Sequence, residues 1–278
     1  MLSNRTWSKL LVLATLSFAA PLVSAQTLPV STTVAGNTAT IVVGSPLNPV
    51  ADVTLTFDDA SELGASSLGV QAQLVDLSNP VLIARLGSAL TQPDSLFPLL
   101  LTIEPPSTGG LVFQRTVRVE IHTHALVYSA GTSYRLFKAP LGGSFKDITD
   151  EVAPGSVRAR GTTGGFSQFL ILPDLRETGD VVDIKIAALR NRIDTLPSAE
   201  QAGFDALLDT AETAIGNESW ANAIAAIDAF RARAADRAGT QLTDEWRATH
   251  DGDNQAGDLI AGAATLRFSV AYLRDYGN

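Results

Sequence analysis

The stretch VRVEIHTH, residues 117–124, alternates apolar side chains with polar ones along its first six positions. A period of two is typical of a β-strand with one buried and one exposed face. The stretch VVDIKIAALRNRIDTL, residues 181–196, instead repeats its apolar residues every three or four positions, as an amphipathic helix does. The contrast predicts a chain that forms strands in its first part and helices in its last part.

Further strand-like segments lie on both sides of residues 117–124, at 39–43, 53–57, 99–104, 134–138, 156–161 and 166–172. Clusters of Gly, Pro, Asn and Asp separate several of them, which indicates turns. Many short strands without helices between them predict a mainly antiparallel β-sandwich of Ig-like or ankyrin-type architecture. The pattern is weakest over residues 60–97, where a short helix is expected around residues 80–89.

Three helices are predicted after residue 174, each with an apolar stripe and a short connection to the next. Thr243 resembles the cap of a fourth helix, which could continue through residues 259–276 after a polar break. Short connections favour antiparallel neighbours and therefore a small helical bundle. We predict an α+β protein of two domains, with a β-sandwich at residues 26–174, a polar linker at 175–180 and a helical bundle at 181–278.

Residues 1–25 have the features of a cleavable signal peptide. Arg5 and Lys9 precede an apolar run at residues 10–20, and small residues at positions 23–25 suit a signal peptidase. An anchor that is never cut is the alternative. No later segment is apolar over the length of a bilayer, so we expect an exported protein, periplasmic or extracellular, without stable membrane insertion after signal cleavage.

Composition restricts the chemistry that this chain could perform. The 278 residues carry a net charge of −9 and contain no Cys. The acidic balance argues against electrostatic binding of nucleic acid, and the lack of Cys excludes disulfides and thiolate chemistry. The chain has no Gly-x-Ser-x-Gly elbow, no His-Glu-x-x-His and no phosphate-binding glycine loop. The sequence therefore favours a non-enzymatic protein and predicts no cofactor.

The sharpest cluster of possible ligands is Glu120, His122 and His124. Alternate residues of a strand point to one face, so the three side chains are expected on the same side. Two imidazoles and a carboxylate can bind zinc or copper. The competing interpretation is a solvated polar face, because Val119 and Ile121 already serve the core.

Two segments resemble known families. Residues 133–171, with YRLFK, a glycine turn, a DIT step and a strand around GFSQF, are similar to the end of the ankyrin-type, ZU-like β-sandwich. Some members of that family cleave themselves at a His-Phe-Ser motif, and here Phe166 and Ser167 match but Gly165 replaces the His. Residues 189–242 resemble the helical FIMAH domain of secreted bacterial proteins, and they depart from its pattern at Arg231. Both resemblances imply extracellular accessory modules.

Three hypotheses for function follow from these patterns. The leading one is an exported structural or interaction protein of the bacterial envelope or extracellular space, whose protein or glycan partner is unknown. The second is a metal-binding protein or metal-dependent enzyme that uses His122 and His124. The third is a sandwich that processes itself between Phe166 and Ser167, although the missing base makes that hydroxyl a poor nucleophile.

Overall fold

The computed structural model describes residues 26–277, so the predicted signal peptide lies outside the described residues. Within them the strands are β1 (Gln26–Leu28), β2 (Val30–Ala35), β3 (Thr38–Ser45), β4 (Asn48–Ser61), β5 (Val70–Leu74), β6 (Leu99–Ile103), β7 (Val112–Thr123), β8 (Tyr134–Ala139), β9 (Lys146–Asp147), β10 (Thr149–Ala153), β11 (Arg158–Thr163), β12 (Gln168–Pro173) and β13 (Glu245–Arg247). The helices are α1 (Pro80–Arg85), α2 (Thr178–Ile193), α3 (Ser198–Gly216), α4 (Trp220–Arg237) and α5 (Gln255–Tyr276).

The strands form two sheets in which neighbouring strands are antiparallel. One sheet has the order β1-β5-β6-β12-β8-β9, and the other has the order β10-β11-β7-β4-β3-β2, with β13 also paired to β7. Helices occupy most of the chain after residue 178. The chain is therefore an α+β protein whose first part is mainly strands and whose last part is mainly helical.

One hydrophobic core takes side chains from both sheets. On β7 the residues Val117, Val119 and Ile121 are buried, and the alternating neighbours Arg118 and Glu120 are not. The other sheet contributes residues such as Leu101, Leu136 and Phe169 to the same cluster. The period of two read from the sequence thus corresponds to a face of β7 that is buried against the second sheet.

The helices surround a second core of their own. Leu189 and Ile193 of α2, Phe204 of α3 and Phe230 of α4 are buried there, and the Phe204 and Phe230 rings lie 4.9 Å apart. α5 packs against α2 and α4 on one side and against β7, β10 and β11 on the other. α5 therefore lies between the helices and the seven-stranded sheet.

The expected helix over residues 259–276 is present as α5, but it begins at Gln255, so the expectation that it begins at Thr243 is wrong. Residues Glu245–Arg247 form β13, which pairs with β7 so that Trp246 lies opposite Phe113. The Trp246 indole stacks on the Phe113 ring at 5.1 Å and meets the Phe166 ring edge-on at 5.4 Å. A residue from the helical part of the sequence thus belongs to the core between the sheets.

Within residues 26–277, none of the helices combines the length and the apolar character that spanning a bilayer requires.

Candidate metal centre

Three potential metal ligands meet on the outer face of the seven-stranded sheet. β4 and β7 are antiparallel neighbours, and their register places Asp52 directly opposite His122. Residues that are opposite each other in such a pair have side chains on the same face, close enough to touch. His124 lies two residues beyond His122, so its side chain lies on that face as well.

The donor atoms lie close to one another. The Asp52 Oδ2 atom is 3.9 Å from His122 Nδ1 and 3.9 Å from His124 Nε2. One donor atom from each of the three residues falls within 4.8 Å of the others, and the two imidazole ring centres are 4.4 Å apart. Among the described residues this is the group of His and carboxylate side chains that the geometry brings together for a metal ion.

A backbone carbonyl fixes the orientation of the His122 ring. Its Nε2 atom is 3.2 Å from the Gly155 carbonyl oxygen and 3.4 Å from the Ser156 hydroxyl oxygen. A carbonyl oxygen can only accept, so the contact with Gly155 favours the tautomer in which Nε2 carries the hydrogen and donates it. Nδ1 is then the atom with a free lone pair, and it is the atom that faces Asp52. Ligating histidines commonly donate their second ring nitrogen in this way, which fixes the tautomer before any metal binds.

The turn between β10 and β11 supplies that carbonyl. Gly155 has a φ of +91° and Ser156 a φ of +62°, so two successive residues leave the ordinary right-handed and extended regions. Glycine adopts such a φ without steric cost, whereas Ser156 does not. The Ser156 hydroxyl donates to the Gly155 carbonyl at 2.6 Å, which stabilises the turn beneath the His122 ring.

The three side chains differ in exposure, and the difference defines the shape of the site. The His122 side chain is 8% exposed, whereas those of Asp52 and His124 are 41% and 59% exposed. His122 is therefore a fixed anchor, and the other two ligands can rotate towards it. A tetrahedral zinc ion with bonds of about 2.1 Å needs ligand atoms about 3.4 Å apart, so side-chain rotation alone can close the site.

The sequence placed Glu120 in this group, but the structure places it with two arginines. Arg160 on the adjacent strand β11 lies directly opposite Glu120, and Arg158 donates to the same carboxylate at 3.0 Å. Partial burial disfavours the charged form of Glu120, but the hydrogen bonds and charges of Arg160 and Arg158 outweigh it and lower the pKa of the carboxyl. Asp52 pairs with no Lys or Arg within residues 26–277, so its carboxylate is open to a cation.

The residues of the other sequence hypotheses lie elsewhere. Phe166 is packed in the core between the sheets, with its ring 5.7 Å from that of Phe57, and Ser167 is buried beside it. The third histidine, His250, hydrogen-bonds Glu104 at 3.0 Å. Among the described contacts, no imidazole is hydrogen-bonded to the Ser167 hydroxyl.

Fold and site together define an α+β protein with two antiparallel sheets, a helical C-terminal part and a candidate metal centre on one sheet. Residues 13–274 match the model of a family of unknown function (DUF6689), and the chain belongs to that family. No curated protein matches the chain, and no solved structure does.

Proposed function

We propose that this protein binds a transition-metal ion, Zn²⁺ in the first instance, through Asp52, His122 and His124. The observation that carries the proposal is the convergence of one carboxylate oxygen and two imidazole nitrogens within 4.8 Å, with His122 Nε2 at 3.2 Å from the Gly155 carbonyl oxygen. Nitrogen donors favour zinc or copper over calcium and magnesium, which prefer oxygen ligands.

Three protein ligands leave at least one coordination position of the ion open. The exposure of the Asp52 and His124 side chains puts that position on the solvent side. Structural zinc sites usually have four protein ligands, whereas sites with three retain a water or a substrate. The site therefore suits delivery or exchange of the ion, or a reaction of the bound water, better than a purely structural role.

The proposed setting is outside the cytoplasm, as a two-domain exported protein with an ankyrin-type or Ig-like sandwich before a helical bundle. The signal-like leader supports this setting. The single core shared by the two sheets and the separate core of the helices support the division into domains.

The test is equilibrium dialysis against Zn²⁺ of protein purified without a histidine tag. We expect one ion per chain, and we expect His124→Ala and Asp52→Asn each to weaken binding at least tenfold. His250→Ala and Glu120→Gln are the matched controls, because they change the same side-chain types outside the cluster and should bind as the wild type does. Binding by the His124→Ala protein that equals the wild type would reject the proposal.

Contact with another envelope or extracellular protein is the second candidate function. Leu90 and Leu175 are 49% and 64% exposed, and the backbone bond from Leu175 N to Leu90 O (3.0 Å) holds them side by side. A photo-crosslinking amino acid at position 90 or 175 should trap a defined adduct in the cells that produce the protein. The control is position 47, where the native Leu47 is 97% exposed in a turn; equal adducts from all three positions would argue against a specific surface.

A further inference from the structure

A cavity of about 340 Å³ lies between the start of β8 and the helices α2 and α5. Its wall combines two arginines with aromatic and hydroxyl side chains, namely Arg135, Arg176, Phe268, Ser269, Tyr272 and Tyr276. This volume falls in the lower part of the range typical of small-molecule sites. The cavity shares no residue with the candidate metal centre, so ligand binding in the cavity is independent of the proposed metal binding.

Arg135 is the cationic group of this cavity, and it is only 7% exposed. Its guanidinium lies over the Tyr272 ring at 4.3 Å and over the Phe268 ring at 5.1 Å from the ring centres. Aromatic faces of this kind attract a guanidinium and hold it flat. These contacts hold the guanidinium against the two rings in the cavity wall.

Half of the guanidinium has no hydrogen-bond acceptor in residues 26–277. Nη1 donates to the carbonyls of Thr132 (2.6 Å) and Tyr134 (2.8 Å), and no described acceptor takes the hydrogens of Nε and Nη2. Asp147, the carboxylate whose pKa Arg135 helps to lower, already accepts from Lys185 and Thr149. Among the described residues the buried polar atoms without a partner belong to Arg192 and Arg233, so Nε and Nη2 of Arg135 keep contact with solvent. An oxyanion that enters the cavity can therefore accept from both of these donors.

The charges around the cavity favour a ligand with a single negative charge. Arg176 donates two hydrogen bonds to Asp174, at 2.8 and 2.6 Å, so its guanidinium is already paired with a carboxylate, whereas Arg135 is the arginine of the wall with N–H donors left for a ligand. The exposed Glu177 side chain, also on the cavity wall, would repel a doubly charged phosphate. The first turn of α2 borders the cavity, and its helix dipole adds attraction for an anion.

We propose that this cavity binds a small monocarboxylate with an aromatic or other apolar body. The Nε–Nη2 edge of Arg135 forms the two-pronged contact to the carboxylate, which a planar guanidinium makes well. The body of the ligand packs against Tyr272 and Tyr276. A free guanidinium edge beside aromatic side chains selects against neutral amides, which lack the charge, and against inorganic phosphate, which lacks the apolar body.

The experiment is a titration with sodium benzoate, followed by calorimetry and by the backbone amide signals in nuclear magnetic resonance. It is run with a chelator present, so that its result is separate from metal binding. We expect one saturable site, shifts concentrated at residues 268–276, and at least tenfold weaker binding of benzamide and of inorganic phosphate. Arg135→Lys keeps the charge but loses the two-pronged edge, and it should weaken benzoate binding at least tenfold.

Arg274→Lys on the exposed face of α5 is the matched control and should bind benzoate as the wild type does. Benzamide or phosphate binding as tightly as benzoate would overturn the proposal, as would an unchanged affinity in a folded Arg135→Lys protein. If the Arg135→Lys protein does not fold, the wild-type shift map decides. Shifts confined to the cavity wall, at residues 133–135, 174–181 and 268–277, support the cavity. Shifts elsewhere, or no saturation with benzoate, refute it.

Discussion

Replacing Lys185 by Met should be among the most damaging single substitutions in this protein. Lys185 lies on α2 and is 7% exposed, and its ammonium donates to Asp147 Oδ2 at 2.6 Å. It also donates to the hydroxyls of Thr265 (2.7 Å) and Ser269 (2.8 Å) on α5. One side chain therefore connects α2, α5 and the strand β9, and every ammonium hydrogen has an acceptor.

The expected cost comes from the carboxylate that remains after the substitution. Burial lowers the pKa of Lys185 and the Asp147 charge opposes this, so the pair is stable only while both charges are present. Without Lys185, the buried Asp147 retains its two hydrogen bonds from Thr149 and the more distant charge of Arg135. Removing one partner of a buried ion pair typically costs about 3–5 kcal/mol. Because Arg135 remains, we expect a value near the lower end, about 3 kcal/mol.

The assay is urea unfolding followed by circular dichroism, with Lys146→Met as the matched control on the same strand as Asp147. Lys146 is exposed, and its substitution should change the free energy of unfolding by less than about 0.5 kcal/mol. The double variant Lys185→Met with Asp147→Leu should be more stable than Lys185→Met alone, since the buried Asp147 carboxylate that has lost its ammonium partner is then removed as well. A cost below about 1 kcal/mol for Lys185→Met, or strictly additive effects in the double variant, would refute this reasoning.

Three further outcomes are expected. Burial lowers the pKa of Lys138 from its usual 10.5 to about 8, and the charge of Asp258 partly opposes this shift. Between these two pKa values the unfolded chain binds a proton that the folded chain has lost. The free energy of unfolding should therefore rise by about 2–3 kcal/mol between pH 7 and 10. Lys138→Met should remove this rise in urea titrations at several pH values, and an identical pH profile would contradict it. Trp246→Ala should lower the free energy of unfolding by about 3–5 kcal/mol in urea titrations, because it empties a core position between Phe113 and Phe166. A loss below about 1 kcal/mol would contradict the placement of β13. Zn²⁺ at 100 times its dissociation constant should raise the free energy of unfolding by about 2.7 kcal/mol. The melting temperature of the wild type should therefore rise with Zn²⁺, and that of the His124→Ala protein should not. An equal rise in both proteins would point to nonspecific binding.

Local periodicity was enough to predict most elements of this fold. The alternation in residues 117–123 and the three-and-four spacing in 181–193 are imposed by the same burial that the structure shows. β13 was not predicted, because a strand of three residues is too short to show a period in its apolar residues. Its assignment depends on pairing with β7, about 130 positions earlier in the chain, and no local pattern contains that information.

Only part of the candidate site was predictable from the sequence, because one of its ligands depends on the pairing of distant strands. His122 and His124 are identified by spacing within one strand, but Asp52 enters the site only through the register between β4 and β7. Pairing the two strand-like stretches around residues 50–57 and 117–124 in antiparallel register would have found it. The register between β7 and β11 likewise explains why Glu120 is not part of the site, because it places Arg160 opposite Glu120. The alternation of residues along one strand predicts which side chains share a face. The register between strands decides which side chains of the neighbouring strands lie beside them.

Zinc K-edge X-ray absorption of the Zn²⁺-loaded protein tests the central claim most directly, because it reports the atoms bound to the ion. Coordination by Asp52, His122 and His124 predicts scattering from two imidazole ligands and from oxygen neighbours, with bonds of about 2.0–2.2 Å. The His124→Ala protein should show one imidazole ligand fewer, and the His250→Ala protein should show both. A spectrum with oxygen neighbours only, or one that both variants leave unchanged, would contradict the proposed centre.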